Sequence, residues 1–396
     1  MKILWVKTDF LHPTDRGGQI RTLEMIKRLH RQHEIHYVAY RQPLHPDALG
    51  RSGEYASKVY PVDFHVPHRR SFQFAGQLAG NLFSDLPLAV SRYRSTAMQE
   101  QISQLLSRER FDSIVCDFVF PAPNFLSLKD CVIFQHNVEA MIWRRHVQHA
   151  ADPLRRRYFQ MQADRMLAYE GRACREAAHV IAVSEEDARA FREMYGVERV
   201  SVVPTGVDTE YFAAAEATYF ADLTFVGSMD WMPNIDAMRW FVEEILPLIR
   251  KRLPETTLGI VGRKPSADLL SLAAGDTSIK VTGTVPDVRP FLWGSAVSIV
   301  PLRIGGGTRL KIYEAAAAGL PVISTTVGAE GLGLAAENEI LLADSPAEFA
   351  ECCISLLQDK ARRKRIATAA LRTVTQNYSW DRVVERFESI LQGCPV

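Results

Sequence analysis

No G-x-S-x-G, H-E-x-x-H or Asp-x-Asp occurs anywhere in the 396 residues, which disfavours esterase-type chemistry, zinc proteolysis and metal-dependent transfer in a single-sheet fold. G-x-G-x-x-G is missing after the first apolar run, and G-x-x-x-x-G-K-[ST] is missing altogether, so neither a nicotinamide cofactor nor a P-loop nucleotidase is expected. The six cysteines (Cys116, Cys131, Cys174, Cys352, Cys353, Cys394) form no C-x-x-C pair and no Cys/His ligand spacing. A disulfide framework and a zinc site are therefore unexpected, and a reducing cytoplasm fits best. No apolar run is long enough to cross a bilayer, and Met1 to Lys7 is too short for a signal peptide and reads as a first strand. The formal net charge is only +1, and no nucleic-acid partner is expected.

What is present is ample core material, 47% hydrophobic residues against 23% charged, enough for two ordinary domains. Apolar runs alternate with helix-period segments. Strands are expected at Ile3 to Val6, Ile35 to Tyr40, Ser113 to Cys116, Val132 to Phe134 and His179 to Val183. Helices are expected at Ile20 to Leu29, Ala97 to Leu106 and Pro153 to Glu176. The rhythm restarts with strands at Leu223 to Val226, Leu258 to Val261, Lys280 to Thr282 and Val297 to Val300, with a helix over Ile235 to Leu253. Two doubly wound parallel-sheet α/β domains are implied, with a boundary near Pro204-Thr205-Gly206-Val207. Residues 1–200 hold 28 Lys and Arg against 23 Asp and Glu, and the remainder holds 19 against 23. That asymmetry suits an N-terminal half facing anionic lipid or an anionic acceptor; ordinary surface charge is the simpler account.

The most informative stretch runs from Ile299 to Thr325: an apolar strand, the loop Gly305-Gly306-Gly307-Thr308, a helix from Arg309 to Ala318, Gly319, and a second strand at Pro321 to Thr325. Glycines allow close backbone approach to a ligand, and the free N–H groups of a first helical turn attract an anion. Arg309 and Lys311 place cations where the helix dipole opposes them, a conflict that a bound diphosphate would relieve. Glu314 stands in the small, apolar run Ile312-Tyr313-Glu314-Ala315-Ala316, where a carboxylate needs a partner such as a sugar diol.

Ligands of open parallel sheets bind beyond the carboxyl ends of the strands, and other polar signals stand there: Gly17-Gly18, His136-Asn137, Gly227-Ser228 and Gly262-Arg263-Lys264. Each has a plainer reading as a turn, a structural histidine or a solvated cation. If the two domains face one another, all of these converge with the triple glycine on one cleft. The aromatic segment Phe72 to Phe83, preceded by His68-Arg69-Arg70, is expected to pack in the core; a membrane interface or an acceptor groove is the alternative. Arg155-Arg156-Arg157 reads as a solvated helix face.

On these residues the chain resembles the GT-B retaining glycosyltransferases of family 4 (glycosyl transferases group 1). The likeness is carried by Pro301-Leu302-Arg303-Ile304-Gly305-Gly306-Gly307-Thr308-Arg309-Leu310-Lys311-Ile312-Tyr313-Glu314-Ala315 and Gly319-Leu320-Pro321-Val322-Ile323, and supported by Val183-Ser184-Glu185, Pro204-Thr205-Gly206-Val207-Asp208, Phe225-Val226-Gly227-Ser228 and Tyr378-Ser379-Trp380. It implies an acceptor-binding Rossmann-like domain over 1–205, a donor-binding one over 206–375 and a helix over 376–396 crossing back to the first, with reaction in a central cleft. It implies that a hexose passes from a nucleoside-diphosphate sugar to a saccharide or lipid-linked acceptor in surface glycan synthesis, with no metal and no cofactor; the expected location is the cytoplasm, with peripheral contact at the inner face of the cell membrane as the alternative that the charge asymmetry allows. Glu314 would hold the donor ribose. Thr308, Arg309 and Leu310 would offer backbone N–H groups to the diphosphate, joined by Gly306, Gly307, Lys311, Arg263 and the N-domain glycine loop Gly17-Gly18, with Gly227 and Ser228 in donor-site loops. His136 would orient the sugar and stabilise its developing charge.

Two departures stand out. Most members have two glutamates separated by seven residues, whereas Gly306 stands eight before Glu314. The basic pair usual after the first strand of the second domain is also missing, leaving Arg263, Arg309 and Lys311 to supply the charge. Two other functions are the alternatives: a nucleotide-sugar 2-epimerase of the same architecture, which would need an acid/base pair around the sugar that the sequence does not show, and a donor-binding scaffold without turnover, suggested by the missing first glutamate.

Overall fold

The computed structural model describes the chain except residues 15–16, 42–46, 65–70, 149, 151, 305–309 and 394–396, with backbone alone at 73, 75, 268 and 272. It divides into two compact units, Met1–Pro204 with Val383–Val396, and Thr205–Arg382.

The first unit is built on a seven-stranded sheet: β1 (Lys2–Val6), β2 (Glu34–Tyr40), β3 (Lys58–Val62), β4 (Ser113–Asp117), β5 (Cys131–Phe134), β6 (His179–Ala182) and β7 (Val200–Val202). Every pair is parallel and the order is β3-β2-β1-β4-β5-β6-β7. Central strands such as Ile3 to Val6 and Val132 to Phe134 are buried on both faces, which is why they read as unbroken apolar runs. The second unit holds six parallel strands, β8 (Ala221–Val226), β9 (Leu258–Val261), β10 (Ile279–Val281), β11 (Ser295–Val300), β12 (Val322–Ser324) and β13 (Leu341–Leu342), in the order β10-β9-β8-β11-β12-β13. The two sheets share one winding pattern: the order reverses between β1 and β4 in the first and between β8 and β11 in the second. The helix Trp380–Gly393 starts in the second unit, and its continuation in the first sets Phe387 against Trp5 and Phe134, with ring centroids 5.6 and 5.1 Å apart.

Several expectations are corrected. Gly17 and Gly18 are not a loop but the first two residues of the helix Gly17–Leu29. The helix expected over Ile235 to Leu253 is present as one continuous helical run from Met232 to Arg250, with a wider turn over Phe241–Ile245 inside it. Pro247 accounts for the wider turn, since it has no N–H to give the carbonyl one turn back. Phe72 and Phe83 are exposed at 98% and 94% instead of lying in the core; His68, Arg69 and Arg70 fall outside the described residues.

Two motifs far apart in sequence meet in the second unit. Val207 N–H donates to the Tyr378 carbonyl at 2.8 Å and Trp380 N–H to the Val207 carbonyl at 3.2 Å. Gly206 is required there, because a Cβ on it would lie 2.6 Å from the Trp380 ring.

Candidate active site

In both units the polar residues gather at the carboxyl ends of the strands at or next to the reversal of strand order, where this architecture leaves a crevice. In the first unit Lys7 follows β1, Asp117 closes β4 and His136 follows β5. Asp117 is buried and accepts four hydrogen bonds, from Trp5 Nε1 (2.8 Å), Lys7 Nζ (2.7 Å), Thr22 Oγ1 (2.7 Å) and His136 Nε2 (2.6 Å). Burial alone would raise its pKa, but the Lys7 and His136 charges and hydrogen bonds outweigh it and hold the carboxyl well below its ordinary range.

His136 responds in the opposite direction. Burial, aided by Lys7 and Arg21 and opposed by Asp117, lowers its pKa to about 4, so the ring is neutral near pH 7. An ionised carboxylate only accepts, which assigns the proton to Nε2 and leaves Nδ1 a bare acceptor. Nδ1 is buried and has no partner among the described residues. The ring is clamped edge-on by Phe118 (5.3 Å) and Phe134 (5.0 Å). Phe118 adopts φ +76°, a region a bulky side chain rarely enters and one that recurs at functional sites. Gly18 lies beside the ring, where a Cβ would sit 3.9 Å away, ordinary contact that does not itself demand glycine.

A buried carboxyl pair, Glu139 and Glu170, stands next to this group, with Gln135 Nε2 donating to Glu170 at 3.3 Å. Glu170 accepts from the N–H groups of Glu139 and Ala140 (both 3.0 Å), capping the helix Glu139–Gln148, and from Tyr195 Oη at 2.6 Å. Burial raises its pKa to about 7 against those bonds. Burial and the nearby Glu170 raise that of Glu139 to about 8.

In the second unit one hydrogen-bonded chain joins Lys311, Ser228 and Arg263 beside Gly227. Lys311 Nζ donates to Asn234 Oδ1 at 3.0 Å and lies 4.2 Å from the Phe225 ring centroid. Asn234 Nδ2 donates to the Ser228 carbonyl at 2.8 Å, and Arg263 Nε to Ser228 Oγ at 2.8 Å. A Cβ on Gly227 would stand 2.7 Å from Lys311 Nζ and 2.8 Å from Asn234 Nδ2, so glycine is what lets the ammonium rest at the end of β8. Leu310 opens the helix Leu310–Ala317, and Glu314 lies one turn on. Burial raises the Glu314 pKa against the pull of Lys311. Gly306, Gly307, Thr308 and Arg309 lie outside the described residues. Among those described, no group of three or more His, Cys, Asp or Glu is placed to hold a metal, and no helix is long and apolar enough to cross a membrane.

Sequence reasoning passed over Lys7, Thr22, Asp117, Asn234 and Glu170. Lys7 and Asp117 did carry a signal, as single charges abutting the carboxyl ends of apolar strands. Thr22, Asn234 and Glu170 lie within helices and carried none.

The family description "Glycosyltransferase Family 4" matches residues 16–211, and "Glycosyl transferases group 1" matches residues 221–359. The chain belongs to the family 4, group 1 glycosyltransferases, and its two parallel-sheet units are those of the GT-B fold. It is 21% identical over 99% of both chains to an uncharacterized 44.6 kDa protein in the cps region of Klebsiella pneumoniae. It is 27% identical to a D-inositol 3-phosphate glycosyltransferase of Nocardiopsis dassonvillei, over 57% of this chain and 58% of that protein. Similar solved structures include sucrose-phosphate synthase from Thermosynechococcus elongatus (TM-score 0.69, 13% identity, 99% and 98% covered). Another is Anabaena HepE in complex with UDP and glucose (TM-score 0.66, 14% identity, 99% of each covered).

Proposed function

We propose that this glycosyltransferase is a retaining, metal-independent hexosyltransferase that takes its sugar from a nucleoside diphosphate and passes it to a saccharide or lipid-linked acceptor in surface glycan synthesis. The observation that carries the donor assignment is the cluster at the β8 end, where Lys311 is held by Asn234 over Gly227 and Arg263 is held by Ser228. Cations fixed by side-chain hydrogen bonds stabilise negative charge without reorganising as it develops on a departing diphosphate. Glu314, on the same helix as Lys311, receives the ribose hydroxyls. The HepE complex with UDP and the position of the Klebsiella relative in a cps region support the nucleotide and the glycan role.

In the first unit His136 orients the sugar and favours positive charge at the reacting carbon. Its Nε2 proton is held by Asp117, and Nδ1, the acceptor left without a partner among the described residues, is buried, so a sugar hydroxyl reaches it only once the cover over the ring shifts. Proton removal from the acceptor falls to a donor phosphate oxygen, because the carboxylate bonded to His136 is not free for it: Asp117 is saturated by four donors.

The test is nucleotide binding by calorimetry with UDP, GDP and ADP, followed by chromatography for slow hydrolysis of the matching nucleotide sugar without acceptor. One nucleotide is expected to bind, and Glu314→Ala to weaken it by about 1.5 to 3 kcal/mol, the range for hydrogen bonds to a charged group. No binding by any nucleotide, or unchanged affinity in the variant, refutes the assignment.

A further inference from the structure

Among the described residues the two most exposed large apolar side chains are Phe72 at 98% and Phe83 at 94%, and they bracket a single helix, Phe72–Asn81. Leu78 and Leu82 are exposed as well, at 38% and 52%. Residues 71–84 contain no Asp, Glu, Lys or Arg. A solvent-facing helix of a globular protein ordinarily carries charge on its outer side, and a contiguous apolar surface left in view marks a contact.

The helix is anchored at its C-terminal end. Asn81 donates to the Leu86 carbonyl at 2.9 Å and accepts from Gln162 Nε2 at 2.8 Å, while Arg165 donates to the carbonyls of Asn81 (2.6 Å) and Leu82 (3.0 Å). These last partners belong to the helix Pro153–Glu176, whose six arginines face only three acids, one of them the buried Glu170. Arg165, Arg172 and Arg175 line one hollow with Asp85 and Asp164, and Arg155, Arg156 and Arg157 are exposed nearer the start of that helix beside Leu154, itself 81% exposed. An uncharged aromatic helix thus adjoins a helix with an excess of exposed arginine.

That pairing fits one occupant. Apolar and aromatic side chains at acyl depth with cations at phosphate level are what an interfacial segment presents to a bilayer. We propose that the segment from Phe72 to Phe83 seats the first unit on a membrane surface carrying anionic lipid, with the exposed Arg172 at the lipid phosphates. The helix lies in the interface and does not span it. The proposal does not depend on the donor site, and its test uses neither nucleotide nor sugar, so the two readings fail separately.

The full-length protein is floated with vesicles of phosphatidylcholine containing phosphatidylglycerol, and with phosphatidylcholine alone. Binding is expected to the anionic vesicles, weakened by salt as screening shortens the reach of the charges. Phe72→Ser with Phe83→Ser should lower it about tenfold or more, and Arg172→Gln should lower binding to anionic vesicles alone. Both phenylalanines are nearly fully exposed, so the variants should keep the wild-type circular dichroism; should the double variant fail to fold, Phe83→Trp in the otherwise intact chain reads the same contact. Its emission should shift to the blue on anionic vesicles and be quenched by brominated acyl chains. Wild-type protein that stays with the unfloated fraction overturns the proposal, as does a double variant that floats equally well. A concentration-dependent dimer abolished by the double variant, without vesicle binding, would assign the patch to a second copy of the chain and overturn it too.

Discussion

Replacing Asp117 by Asn tests the buried polar group of the first unit most directly, because the side chain keeps its shape and loses only its charge and half its acceptors. Four donors converge on the carboxylate, and both members of the Lys7–Asp117 ion pair are nearly inaccessible, at 7% and 0%. With its oxygen toward Lys7 and His136, the amide sets an NH2 against the Trp5 N–H, which cannot accept. Turned the other way, it sets the NH2 against the Lys7 ammonium and forces His136 into the other tautomer. Either way a buried cation loses its counter-charge, which costs about 3 to 5 kcal/mol. Hydrogen exchange followed by mass spectrometry reads the loss locally, as reduced protection of β1 and β4, and urea unfolding reads it globally. The acid limb provides a second readout. The Asp117 pKa is depressed in the folded state, so its stabilisation is present above the unfolded value near 3.9 and lost as pH falls toward the folded one; the variant should be flatter below about pH 4. Adding Lys7→Met should recover on the order of 2 kcal/mol, since the orphaned charge is then gone. A loss under about 1 kcal/mol with unchanged β4 protection would refute the assigned role of the carboxylate.

Glu139→Gln should stabilise the protein at alkaline pH. The folded pKa of Glu139 is raised to about 8, so the stability of its protonated form is present below the unfolded value near 4.3 and lost as pH rises to 8; a Tm series should show the variant's advantage growing by ~1 kcal/mol per pH unit in that window. Gly206→Ala drives a methyl into the Trp380 ring and should cost about 1 to 3 kcal/mol by urea unfolding, whereas a neutral result would mean the Trp380 contact yields freely. His136→Ala should leave nucleotide affinity intact and depress transfer in a radiolabelled-sugar assay; equal loss of both would make the histidine structural.

The strands of both sheets were legible where the chain is buried on two faces. Ile3 to Val6, Val132 to Phe134 and Leu258 to Val261 are fully buried, and a short unbroken apolar run is what a strand covered on both sides requires. The three strands without a clear signal are Lys58–Val62, Val200–Val202 and Leu341–Leu342, and each lies at a sheet edge. An edge needs less apolar surface and tolerates Pro61. The aromatic helix misled in the other direction, since composition alone does not tell a core segment from one that faces outward.

Local chemistry read in order along the chain thus determined the two-sheet architecture, the family likeness and the glycines, cations and carboxylate after β11, because each depends on neighbours in sequence. Only the folded chain decided that Lys7, Thr22 and Asp117 surround His136, that Asn234 holds Lys311, and that Phe72 and Phe83 face outward. Those facts depend on groups up to 110 residues apart meeting where strand order reverses, and on desolvation that exists only once the core has closed. The proton on His136 is the clearest case: no property of residue 136 alone assigns it, and a buried carboxylate 2.6 Å away does.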